Sequence, residues 1–109
     1  MENLLEETKD ELAGCHKTPK DVLWVGTSDG SEVITWQEFE EMANFDYTEG
    51  YGPIEIRPDL VVVGKGWWLE RHEHDGEEWW WYKELPKLKE DLKALTRIKA
   101  TPEAPFMSD

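Results

Sequence analysis

A chain of 109 residues with 25 acidic and 12 basic side chains, net charge −13, has the length of one domain. It is too acidic to hold nucleic acid directly, because that affinity comes mainly from Lys and Arg on phosphates. A hydrophobic fraction of 39%, including seven Trp, excludes wholesale disorder, and a lone cysteine, Cys15, excludes an internal disulfide. No apolar run approaches the eighteen or so residues of a membrane span, so a cytoplasmic protein with no membrane partner is expected.

In chain order, Met1 to Cys15 has helix-forming composition around Leu4, Leu5 and Leu12, with Gly14 expected to stop it. Met1 to Ala13 is too charged for a signal peptide. Lys17 to Lys20 reads as a linker, so residues 1–20 form an N-terminal helix and linker, and Asp21 opens the domain proper. Val22 to Val25 and Glu32 to Trp36 read as a hairpin about Asp29-Gly30, which would pair Val25 with Ile34 and Leu23 with Trp36 on one face. Thr35 and Glu38 have the spacing of a capping box, which starts a helix with Trp36, Phe39, Met42 and Ala43 on one side and Asn44 as its stop. The stretch from Phe45 to Pro58 is irregular, with Tyr47 and Tyr51 packing inward. Leu60 to Val63 is a short strand.

Residues 67 to 84 hold five of the seven tryptophans around Asp75-Gly76, the strongest short hairpin signal, because both turn residues must take positive φ. A two-residue turn there sends Trp67, Leu69, Arg71, Trp80 and Tyr82 to one face, with Arg71 opposite Trp80. Trp68, Glu70, His72, His74, Trp79, Trp81 and Lys83 take the other face. Leu88 to Ile98 has the pattern of a basic amphipathic helix. The order β-β-α-β-β-β predicts an α+β fold, a small antiparallel sheet with one central helix and further helices at the termini. Residues 21–85 form its core domain and residues 86–109 a C-terminal extension, partly flexible.

No motif carries catalysis. His72 and His74 point the same way on a strand and invite a metal, but Glu70 is the only further ligand well placed there, and a hairpin tip holding two histidines is the plainer reading. Carboxylates are too numerous for any pair to be singled out as acid and base. Cys15 has no base partner, and neither motif nor spacing asks for a cofactor.

Two surfaces remain. Trp68, Trp79 and Trp81 are either covered by a terminal helix or form an exposed patch for a protein or a sugar. The acids Glu38, Glu40, Glu41, Asp46, Glu49 and Glu55 are in the plain reading a solvated face. In the sharper reading they imitate phosphates. Glu38 and Glu41 stand about 5–6 Å apart on a helix, comparable with the roughly 3.4 Å charge spacing along a DNA strand.

The runs D-V-L-W-V-G-T-S-D-G-S-E-V-I-T-W-Q-E-F-E-E-M-A-N, Y-T-E-G-Y-G-P-I-E-I and D-L-V-V-V-G-K-G-W-W-L-E-R-H-E-H-D-G-E-E-W-W resemble small uncharacterised proteins of phage and prophage genomes. These are similar in an aromatic hairpin of the form W-W-L-E-R-H-E-Y-D-G-S-E-W-W. The similarity spans Asp21 to Leu85, and His74 departs from it by replacing an aromatic residue. The resemblance implies a phage accessory function and no particular reaction.

With the charge and the missing motifs, the expectation is a non-enzymatic protein that binds a host protein in the host cytoplasm. Its most concrete form is an anti-CRISPR or anti-restriction inhibitor that mimics DNA in the groove of a nuclease. Glu38, Glu41, Asp46 and Glu49 would carry the charge, and Trp68, Trp79 and Trp81 the contact. The alternatives are a carbohydrate- or ligand-binding module with those tryptophans as platform, a hydrolase using His72 with Glu70 or Glu73, or a phage structural or regulatory protein. Target, oligomeric state, which of the acidic and Trp faces is the interface, and whether the terminal segments are helical stay open.

Overall fold

The computed structural model describes residues 1–48 and 52–100. In chain order they form β1 (Glu2–Asn3), α1 (Leu4–Gly14), a single 3-10 turn (Pro19–Asp21), β2 (Val22–Thr27) and β3 (Val33–Ile34). These are followed by α2 (Trp36–Met42), β4 (Asp46–Tyr47), β5 (Leu60–Gly64), β6 (Trp67–His74) and β7 (Glu77–Glu84). The fold is α+β: a five-stranded antiparallel sheet in the order β3-β2-β5-β6-β7, a two-stranded ribbon β1-β4, and two α-helices.

Asn3 starts α1 by accepting the Glu6 N–H at 3.0 Å, and Glu6 and Glu7 sit in the first turn, where the helix dipole favours acids. The helix runs through Gly14 and ends because His16 takes a left-handed φ of 61° while Lys17 N–H returns to the Leu12 carbonyl at 2.8 Å. Gly14 is the last helical residue, as expected, with the left-handed turn made two residues on at His16. The capping box at α2 is present: Glu38 N–H donates to Thr35 Oγ1 at 3.1 Å and Thr35 N–H to Glu38 Oε1 at 2.8 Å. Trp36, Phe39 and Ala43 are buried, but Met42, expected beside them, is exposed, at the rim of the core where it lines a groove with Phe39 and Ala43.

The first hairpin keeps the expected pairing of Val25 with Ile34 but not that of Leu23 with Trp36. Trp36 already belongs to α2, and an irregularity in β2 between Val22 and Trp24 turns Leu23 out to solvent. Its loop is also longer than a two-residue turn. Only Gly30 has positive φ, and the Asp29 carboxylate closes the loop by accepting from Thr27 Oγ1, Ser31 N–H and Ser31 Oγ. Those hydrogen bonds hold the Asp29 carboxyl down at about 2. The β6-β7 hairpin follows the expected register throughout, with Asp75 at φ 52° and Gly76 at φ 88° and Arg71 opposite Trp80.

Register then defines two faces. The cross-strand row Val25, Val62, Leu69 is fully buried, with Tyr82 at its end, and α1 and α2 pack on this inner side through Leu4, Leu5, Leu12, Trp36 and Phe39. Each such side chain contributes roughly 1.5–3 kcal/mol by leaving water. The core thus extends ahead of Asp21 into the first helix. Tyr47 is buried as expected, while Tyr51 lies outside the described residues. The helix expected over 88–98 is not formed: residues 85–100 have no regular structure and are exposed. Eleven residues without a surface to pack on are too few to hold a helix in water.

Candidate functional site

The outer face of the sheet is the side that neither helix covers. Its rows are Trp24, Val63, Trp68, Lys83 and then Gly26, Val61, Glu70, Trp81, with His72 and Trp79 beyond. Trp79 and Trp81 are 37% and 49% exposed, high for side chains of this size, and Trp68 is half-buried. Trp24, Ser28, Pro58, Val61, Val63, Trp68 and Glu70 line a groove of about 540 Å³ on this side.

Glu70 organises the face. Its carboxylate accepts the Trp68 indole N–H at 2.7 Å and lies 2.9 Å from His72 Nε2 and 3.1 Å from Lys83 Nζ. The Trp68 hydrogen bond first, then those of His72 and Lys83, hold its carboxyl down to about 2 against an ordinary value of 4.5. Lys83 also stands 5.2 Å over the Trp81 ring, and the His72 ring lies 4.3 Å from it. Glu70 thus fixes Trp68 directly, while its partners Lys83 and His72 lie against the Trp81 ring and His72 stacks at 6.4 Å from Trp79.

His74 is exposed at the hairpin tip beside Asp75, and the Glu70 oxygens that would join His72 at a metal are engaged by Trp68 and Lys83. Among the described residues no three His, Cys, Asp or Glu side chains converge to hold a metal ion.

The acidic candidates lie elsewhere. Glu38 and Glu41 are exposed on α2, which packs on the inner side of the sheet, and Asp46 is exposed on β4, accepting from Asn3 Nδ2 at 3.3 Å. Glu49 lies outside the described residues. The structure therefore brings Trp68, Trp79 and Trp81 together and sets Glu38, Glu41 and Asp46 on the other side of the molecule. The Glu38 carboxylate is also committed to the Thr35 N–H, so it cannot act as a free phosphate mimic without loosening the helix.

Between α2 and the sheet edge lies an apolar groove of about 320 Å³, walled by Ile34, Phe39, Met42, Phe45, Ile56 and Leu60. Glu55 and Arg57 stand in its wall, but Arg57 is held by Asp59 at 2.6 Å and Glu32 at 4.0 Å. The sequence showed the acids here. It did not show the groove, which exists only because β1-β4 pairing brings Leu4 and Phe45 beside α2, with Leu4 N–H donating to the Phe45 carbonyl at 3.1 Å.

Among the described residues no helix is long and apolar enough to cross a membrane. No family model, no curated protein and no solved structure matches this chain.

Proposed function

We propose that this is a non-catalytic binding protein that captures a protein partner on the open face of its sheet, with Trp79 and Trp81 as anchors. The observation that supports it is the uncovered aromatic face itself: exposed Trp79 and Trp81, with Lys83 and His72 against the Trp81 ring, are the kind of side chain that dominates protein interfaces. The net charge of −13 favours a basic partner and speeds its approach. A nuclease with a groove built for nucleic acid is such a partner, which keeps the counter-defence reading as the specific form of the proposal.

The test is capture from host lysate by the tagged full chain, eluted in rising salt, beside a Trp79→Ala/Trp81→Ala variant. The expected result is a partner held by the parent protein and lost by the variant. A nucleic-acid-processing protein that elutes as salt rises supports charge mimicry. Capture that survives loss of both tryptophans sinks the open-face reading.

The groove at Trp24 and Trp68 favours a second reading, a small-ligand or glycan site, since its volume lies within the range of such pockets. Tryptophan fluorescence against a glycan panel separates the two. A salt-independent shift that Trp68→Ala abolishes would support the ligand.

A further inference from the structure

The chain also contains two complementary parts that the open sheet face does not use. Residues 86–100 hold five basic and two acidic side chains, whereas residues 1–85 hold seven basic and twenty-one acidic. In the basic segment Leu88, Leu92 and Leu95 recur at helical spacing, with Ile98 at the edge of the same face and Lys89, Lys93 and Arg97 on the other side. These four apolar side chains are 64–90% exposed, a stripe with nothing over it. The groove beside α2 is its counterpart: apolar at the bottom, open at Met42 and Phe45, with Glu55 and an Arg57 already paired to Asp59 in its wall, and with Glu38 and Glu41 exposed on the same helix α2.

We propose that the protein self-associates by reciprocal exchange of these parts, residues 88–98 of each copy folding into a helix in the groove beside α2 of the other. The same patch and the same segment then serve on both copies, as a closed twofold dimer requires. The helix absent from the isolated chain forms on docking because the groove supplies the apolar surface it lacks.

The occupant is a second copy because the segment is not seated in its own chain: residues 85–100 are exposed throughout, Leu88, Leu92, Leu95 and Ile98 among them. The inner side of β7 is moreover occupied by α1, where Trp80 Nε1 donates to Thr8 Oγ1 at 2.8 Å.

The experiment is sedimentation equilibrium of the full chain at tens of micromolar, with far-ultraviolet circular dichroism. The expected result is a dimer whose helical signal grows with concentration. Leu92→Asp/Leu95→Asp and Met42→Lys/Phe45→Lys should each be monomeric. Mixed together they should recover a dimer, because one supplies an intact groove and the other an intact segment, and this recovery shows that both variants fold. Trp79→Ala/Trp81→Ala should dimerise like the parent, so failure here is distinct from failure of the open-face reading. A monomeric parent, a dimer that survives Leu92→Asp/Leu95→Asp, or variants that do not recover on mixing would each overturn the proposal.

Discussion

Trp79, Trp80 and Trp81 stand in a row, and the pleat of β7 gives them different work. Trp80 points inward, 3% exposed, donates to Thr8 and carries the Arg71 guanidinium 4.7 Å over its ring; its neighbours point outward. Replacing Trp80 by Ala should therefore cost about 3–5 kcal/mol. Replacing Trp79 or Trp81 should cost less than about 1 kcal/mol, as for a surface position. Urea unfolding of the three variants checks this, and equal costs would mean that the outer face is covered. Glu70 makes a pH prediction on the same face. Its carboxyl titrates at about 2 when folded against 4.5 ordinarily, so the folded state favours the carboxylate. The stabilisation is complete above pH 4.5 and disappears as pH falls from there to about 2. Glu70→Gln should be less stable than the parent at neutral pH and lose less between those values, as urea midpoints across the window would show.

At the scale of elements, both Asp-Gly signals did mark hairpins, and the difference between them is physical. At Asp75-Gly76 both residues take positive φ and the register follows from the turn alone. At Asp29-Gly30 the flanking Thr27 and Ser31 offer the Asp29 carboxylate three hydrogen bonds, which favour a wider loop; that competition was not apparent in the strand pattern. The capping box of α2 was legible because Thr35 and Glu38 are local to each other. With only seven residues in α2, the cap matters: Thr35→Ala should destabilise by about 1 kcal/mol, measured by thermal or urea unfolding. Glu38→Lys should weaken the same helix, so Glu41 is the cleaner position for a charge reversal aimed at binding. The helical periodicity of Leu88–Ile98 is not matched by a helix, since periodicity reports which face would be buried and not whether a surface exists to bury it.

At the scale of the whole molecule, contacts between distant residues carry the architecture, and these were the least legible. Arg71 is buried between Glu7 Oε2 at 3.5 Å and Glu78 Oε1 at 3.8 Å, and donates to Tyr47 at 3.0 Å. Glu78 in turn accepts the Glu55 and Ile56 N–H groups at 2.9 and 3.1 Å, anchoring the loop before β5. The hairpin register placed Arg71 over Trp80, but nothing near it in sequence announced Glu7 or Tyr47. Arg71→Leu would strand buried carboxylates and should cost about 3–5 kcal/mol, seen as a lower urea midpoint. Which of the acids and the outer tryptophans forms the interface stayed open in the sequence, because composition carries no sidedness, and the sheet sets the two apart. The hydrogen bond from Trp80 to Thr8 spans 72 residues, so the first helix made is completed by the last strand made. On a ribosome adding about 5–20 residues per second, α1 emerges and then waits roughly 4–14 s for its docking surface. During that interval the Thr8 side of α1 lacks its partner, and a nascent chain stalled before β7 should be more protease-sensitive around α1 than the full chain.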